Sequence, residues 1–143
     1  MISRDCVVVI GSGMMGSGIG AMAALAGHPV TLVDVQEERV QAGKERAIAC
    51  IRLREENGLA SSQEADRAVD LLHTSVDTQT AVQSAFLVIE AIVENLEAKQ
   101  ALFRQLDALL PAEVPICSNT SGLRITEISA LCEHHPELSL IHI

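Results

Sequence analysis

One stretch of this chain leaves the fold little freedom. A continuous β-branched run, Cys6-Val-Val-Val-Ile10, passes straight into Gly11-Ser-Gly13-Met-Met-Gly16 and then into a small-residue segment of helical character. A strand with no polar residue to turn toward solvent is buried on both faces, as the central strands of parallel sheets are. The rest of the chain repeats the theme, with short apolar runs alternating with longer helical stretches, the pattern of a parallel sheet with crossover helices. The expected fold class is α/β, a Rossmann-type doubly wound, mainly parallel sheet with flanking helices.

The expected elements follow from the local chemistry. A helix over about 15–26, closed by Gly27, is followed by a strand over 30–34 and a charged helix over 37–56 that stops at Asn57-Gly58. A helix from Ser62 or Gln63 to Leu72 takes Ser61 or Ser62 as its N-cap, with Glu64 near its positive end. A weak strand over 74–77, a short helix over 80–84 and a strong strand over 86–90 come next. Leu102, Phe103, Leu106, Leu109 and Leu110 share one stripe of a helix over 96–110, which Pro111 ends. A strand over 115–118, a helix over 125–132 and a strand over 138–143 complete the chain, which reads as a single domain that stops at the end of a strand.

Each glycine of the loop answers a separate requirement: Gly11 the tight turn, Gly13 the approach of backbone to a pyrophosphate, Gly16 the close packing of helix on strand. The helix that starts there aims its unpaired N–H groups and positive dipole end at phosphate. Gly18 and Gly20 are expected to serve helix packing. Asp34 lies at the tip of the second strand, 18 residues after Gly16. A carboxylate there accepts hydrogen bonds from the adenosine ribose and repels a 2′-phosphate, so it favours NAD over NADP; no arginine is near it in sequence before Arg39. The competing reading of Asp34 is a cap on the next helix. Dinucleotide binding by Gly11, Ser12, Gly13, Met14, Met15, Gly16 and Asp34 is the firm inference.

Composition narrows the alternatives. The net charge of −9 repels nucleic-acid backbones and anionic lipid, and Phe86 and Phe103 are the only aromatic residues, so base-stacking platforms have no material. Neither nucleic acid nor a membrane is an expected partner. Cys6, Cys50, Cys117 and Cys132 are widely spaced and read as reduced thiols, and the spacing of the histidines supports no metal site. The first apolar run is too short for a signal peptide or a membrane span, which makes the cytoplasm the expected location.

Two further blocks, Glu90-Ala-Ile-Val-Glu94-Asn-Leu-Glu-Ala-Lys99 and Ser118-Asn-Thr-Ser121, combine with the glycine loop in an order and spacing that resemble the NAD-binding domain of the L-3-hydroxyacyl-CoA dehydrogenase family over essentially the whole chain. The resemblance implies NAD-dependent oxidation of 3-hydroxyacyl-CoA to 3-ketoacyl-CoA, in fatty acid β-oxidation or butanoate-type metabolism. It matches Glu94 and Lys99 to cofactor-contacting residues, Ser121 to the active-site serine that reaches substrate oxygen or cofactor, and His142 to the catalytic base. An imidazole titrating near neutrality suits that last role. From the residues alone, the favoured reading of Glu94 is a helix cap and of Lys99 a solvated side chain; Asn119 and Ser121 read also as turn formers, and His142 as a terminal residue without a role. Glu90 reads as a buried carboxylate of open role.

The resemblance has departures. Leu140 and Ile143 stand where the family has a glycine and the first aromatic of the segment around its histidine. The Asn-Pro that ends that segment, the glutamate that orients the histidine, and the C-terminal helical domain are absent from the sequence. Cys50 and Asn57 stand where relatives carry a serine and a lysine that contact coenzyme A. Lys44, Arg46, Arg52 and Arg54 could supply charge there, but they interleave with glutamates as on a solvated helix. The chain is therefore expected to bind NAD and to turn over poorly alone, with an acyl-CoA substrate and a homodimer belonging to the complete enzyme. The alternatives are a non-catalytic NAD-binding module or subunit, or a related 3-hydroxyacid dehydrogenase.

Overall fold

The computed structural model describes residues 4–134 and 139–140. Its centre is β1 (Cys6–Ile10), every residue of which is buried. Alternation along the strand sends Val7 and Val9 to one face and Cys6, Val8 and Ile10 to the other, so one β-branched run feeds two cores. On the first face lie α1 (Met14–Leu25), α2 (Glu37–Glu56) and α3 (Ser62–Asp70), which contribute Ala21, Ile51 and Ala65. On the second lie α5 (Leu96–Leu109) and α6 (Ile125–Ile128), with Phe103, Leu106 and Ile128 fully enclosed. Burying each of these larger side chains contributes about 1.5–3 kcal/mol.

The sheet adds β2 (Val30–Val33), β3 (Leu72–Ser75), β4 (Ala85–Glu90), β5 (Ile116–Ser118) and β6 (Ser139–Leu140), in the order β3-β2-β1-β4-β5-β6. All pairs are parallel; Val8 lies between Thr31 of β2 and Val88 of β4. The chain builds outward from β1 through β2 and β3, then returns to the other side of β1 to lay down β4. That reversal opens a crevice at the carboxyl ends of β1 and β4, where ligands of such sheets bind.

The expected doubly wound sheet is therefore present, with local corrections. The third strand is displaced by two residues from the expected 74–77. Leu72, 1% exposed, supplies the apolar contact and pairs with Val30. Asp77 is drawn off as the N-cap of α4 (Thr78–Ala81), accepting from the amides of Gln79 and Thr80. For the same reason α3 ends at Asp70, before Leu72, and α4 starts two residues early, continuing as a 3-10 turn over Val82–Ser84. The helix expected over 125–132 is a single turn. Ser61 caps α3 with a full capping box: its hydroxyl accepts from the Glu64 amide while the Glu64 carboxylate accepts from the Ser61 amide. All four cysteines are free. Of the final strand, Ser139 and Leu140 pair with Cys117 and Ser118; His142 and Ile143 lie outside the described residues.

Candidate active site

Gly11 leaves β1 with φ +101°, a conformation open to glycine, and a Cβ there would lie 2.4 Å from the carbonyl oxygen of Ala91 at the end of β4. A Cβ on Gly16 would fall 1.8 Å from the Gly11 carbonyl oxygen, so the start of α1 is pressed directly against the turn. Gly13 is the opposite case. A Cβ there meets nothing within 4 Å, and this open side is the one a ligand would approach. Gly13 caps α1 with no side-chain hydrogen bond, and the first turn carries no acidic residue. Its amides thus keep their anion-binding capacity, and Met14 and Met15 are exposed beside them. Gly20 packs against Leu32 as expected, whereas a Cβ on Gly18 would meet nothing within 4 Å, so the expectation that Gly18 serves helix packing is not met.

Asp34, just past β2, is tied into the loop. Its Oδ2 accepts from the Ser12 amide (3.0 Å) and the Ser12 hydroxyl (2.8 Å), and its Oδ1 accepts from the Val35 amide (2.8 Å). Burial works against ionisation of Asp34, but the Ser12 and Val35 amides, the Ser12 hydroxyl and Arg39 outweigh it and hold the carboxyl below the usual aspartate range. Asp34 is therefore an anion bound to the glycine loop, not the cap of α2, whose N-cap is Gln36. Ser12 is 1% exposed, with its amide and hydroxyl turned to Asp34 and its carbonyl accepting from Ser17 and Arg46, so it shapes the loop from within.

The same loop is held from behind by α2, a contact the sequence reading missed. Gly43 faces Ser12 so closely that a Cβ would lie 2.5 Å from the Ser12 Cβ. Arg46 donates Nη2 to the Ser12 carbonyl (2.8 Å), and Arg39 holds Nη1 3.8 Å from Asp34 Oδ1. The expected solvated, mixed-charge helix does describe Arg52, which pairs with Glu55 and Asp66. Asp34, Arg39, Arg46 and the Gly11–Gly13 backbone line a cleft of about 570 Å³ that extends to Ala91, Ile92 and Val93.

At the far end of the carboxyl edge, a buried polar network joins the turn after β4 to the turn after β5. Glu90, 0% exposed, accepts from the Ser118 hydroxyl (2.6 Å), the Ile92 amide (2.8 Å) and the Lys99 ammonium (2.5 Å). Lys99 is 1% exposed and also lies 3.6 Å from Glu94 Oε1, which accepts from the Thr120 hydroxyl (2.6 Å). The reading of Lys99 as a solvated side chain is thereby corrected: a fully enclosed Glu90 requires a counter-charge, and α5 delivers one from beneath. Glu94 is likewise not the cap of α5, because Asn95 fills that position by accepting from the Ala98 amide. The family match to Lys99 and Glu94 as cofactor contacts finds Glu94 half-exposed at the edge and Lys99 enclosed below it; neither lines the cleft.

Ser121 is exposed on the turn that this network fixes, where the Thr120 hydroxyl accepts from the Leu123 amide and Asn119 donates its amide to the Glu90 carbonyl. The structure thus brings Gly11, Gly13, Gly16 and Asp34 together, and places Glu94 and Ser121 on adjacent turns of the same sheet edge. The proposed base, His142, lies outside the described residues. A bare helix start, an open Gly13 and an anionic strand tip fit a dinucleotide: Gly13, Met14 and Met15 would hold its pyrophosphate by their amides, and Asp34 its adenosine ribose.

The comparisons with known proteins agree with this geometry. Residues 6–143 match the family model described as 3-hydroxyacyl-CoA dehydrogenase, NAD binding domain. The chain is 37% identical to mitochondrial hydroxyacyl-coenzyme A dehydrogenase of Mus musculus over 141 residues, which cover 95% of this chain and 45% of the mouse protein. It is 36% identical to 3-hydroxyadipyl-CoA dehydrogenase of Escherichia coli, covering 99% of this chain and 30% of that protein. Among solved structures it superposes on 3-hydroxybutyryl-CoA dehydrogenase of Escherichia coli with a TM-score of 0.89 at 35% identity, covering 98% of this chain and 29% of the other. The chain spans less than half the length of these relatives. With the glycine loop, the acidic strand tip and the two polar turns in their places on one sheet edge, the chain belongs to the 3-hydroxyacyl-CoA dehydrogenase family and is its NAD-binding domain.

Proposed function

We propose that this chain binds NAD⁺ along the carboxyl edge of its sheet and serves the oxidation of a 3-hydroxyacyl-CoA to the 3-ketoacyl-CoA, with a further domain or partner supplying the other wall of the substrate site. The observation that carries the reading is the uncapped start of α1 beside an ionised Asp34, a pairing suited to pyrophosphate at one end and ribose hydroxyls at the other. NAD⁺, when bound, accepts the hydride from C3 of the substrate.

The chain's own groups have the remaining tasks. Ser121 offers a hydroxyl to the substrate oxygen from a turn braced by Thr120 and Glu94. His142 takes the proton of the 3-hydroxyl. The Glu90–Lys99–Ser118 network keeps the two turns in register, so positioning is built into the sheet edge and not left to the loops. An acyl-CoA substrate and a homodimer of the complete enzyme belong to the same proposal.

Isothermal titration calorimetry of the chain with NAD⁺, alongside absorbance at 340 nm with acetoacetyl-CoA and NADH, tests it. Saturable NAD⁺ binding with little or no turnover is expected. Absence of NAD⁺ binding at millimolar concentration overturns the cofactor assignment, and turnover at the rate of a complete dehydrogenase overturns the need for a second wall.

A further inference from the structure

The adenosine end of the cleft carries more positive charge than its single acidic residue suggests. Asp34 is an acceptor with about four lone-pair positions. Two on Oδ2 are taken by the amide and hydroxyl of Ser12, and one on Oδ1 by the Val35 amide, leaving one on Oδ1 for a ribose hydroxyl. Arg39 Nη1 lies 3.8 Å from the same Oδ1, and its side chain is 63% exposed. Arg46 lines the same cleft, fixed by its bond to the Ser12 carbonyl. Arg39 is thus the guanidinium beside the carboxylate, while Arg46 is engaged with the loop backbone.

We infer that Arg39 is a specificity-determining residue: it holds a guanidinium beside the ribose-binding oxygen of Asp34, so rejection of a 2′-phosphorylated cofactor depends on the Asp34 charge alone, and neutralising that charge turns the site toward NADP. A ribose hydroxyl can share Oδ1 with Arg39. A phosphate on that hydroxyl is repelled by the carboxylate and attracted by the guanidinium, which is suited to phosphate by its planar set of donors. In dinucleotide-binding sheets generally, an acid at this tip selects the free hydroxyl and a nearby arginine accommodates the phosphate. Here both are present, and the acid dominates because three hydrogen bonds hold it in place while Arg39 stands 3.8 Å off on an exposed side chain.

The inference rests on the proposed binding of NAD⁺ and is tested by calorimetry with NAD⁺ and NADP⁺ on the whole chain and on Arg39→Gln, Asp34→Asn and the double variant. The unsubstituted chain is expected to prefer NAD⁺. Arg39→Gln is expected to weaken NADP⁺ about tenfold, the value of one charge-assisted hydrogen bond, and to weaken NAD⁺ by a distinctly smaller factor. Asp34→Asn is expected to tighten NADP⁺ about tenfold, and adding Arg39→Gln to remove that gain. Equal effects of Arg39→Gln on both cofactors, or an effect on neither, overturn the inference while leaving NAD⁺ binding intact. Failure of the unsubstituted chain to bind NAD⁺ overturns the proposed function itself. Should circular dichroism show that Asp34→Asn is unfolded, the contrast between the two cofactors on Arg39→Gln decides alone.

Discussion

Replacing Lys99 by methionine separates a buried counter-ion from a ligand contact. The ammonium is 1% exposed and Glu90, its partner at 2.5 Å, is 0% exposed. Removing it leaves the Glu90 carboxylate enclosed with, among the described residues, the Ser118 hydroxyl and the Ile92 amide as donors. Breaking one side of a buried pair costs about 3–5 kcal/mol, a large share of the roughly 5–15 kcal/mol that stabilises a domain. With a urea dependence of about 2 kcal/mol per molar, the unfolding midpoint should fall by about 2 M. Adding Glu90→Gln removes the stranded charge while keeping an acceptor for Ser118, so the double variant should recover at least half of the loss, a coupling read directly from the four-protein cycle. Urea unfolding followed by circular dichroism supplies the numbers, and NAD⁺ calorimetry on the same samples supplies the control. A midpoint shift below 0.5 M, about 1 kcal/mol on that slope, together with a loss of NAD⁺ affinity, would show that Lys99 acts as the cofactor contact its family match implies, and would refute the counter-ion argument.

Gly13→Ala should leave stability within about 1 kcal/mol and lower NAD⁺ affinity, whereas Gly16→Ala, with its Cβ 1.8 Å from a backbone oxygen, should cost about 3 kcal/mol or more; urea unfolding and calorimetry distinguish the two. Asp34 titrates below its unfolded value, so its contribution to stability is complete above the ordinary aspartate pKa of roughly 4 and disappears as pH falls through the folded one. Ser12→Ala should raise the Asp34 pKa and lower stability at neutral pH but not below the folded pKa, as measured by carboxyl ¹³C titration and by urea unfolding across pH. Burial pushes the Cys117 thiol pKa up, so Cys117 should be labelled by iodoacetamide at pH 7.5 far more slowly in the native protein than in urea, which mass spectrometry of the peptides resolves.

The parts of this fold legible in the sequence are those whose cause is local. The β-branched run of β1 and the close packing at Gly11 and Gly16 are found as expected, and of the two serines offered as the cap of α3 it is Ser61 that fills the place, with Glu64 completing a box the expectation did not include. The third strand lies two residues before its expected place because Thr74 to Asp77 mixes strand and turn chemistry, and Leu72 settles the competition by entering the core. The support of the site was harder to see. Arg46 and Gly43 act on Ser12 from α2, and Ser118 acts on Glu90 from the neighbouring strand; an arginine or glycine on a mixed-charge helix looks the same whether or not it is engaged, and the block that Ser118 opens says nothing of its partner. Glu90 was recognisable as a buried carboxylate, and its unmet need for a positive partner nine residues from Lys99 was the signal available.

The strand order also sets a timetable. β1 is made first, and β2 and β3 can pair beside it early, but its other edge stays unpaired until β4 arrives with Val88 opposite Val8. The glycine loop is bound by the same wait: Gly11 takes its shape against Ala91, whose amide closes onto the Ile10 carbonyl at 2.7 Å. The phosphate cradle, encoded by the first sixteen residues, is thus completed only after the chain has grown past residue 91. Non-local parallel pairing of this kind is slow and leaves apolar edges open to other chains. A ligand that recognises the finished cradle stabilises the end product and none of the species before it, so abundant NAD⁺ would raise the yield of folded protein without shortening the time in which a half-made sheet is exposed.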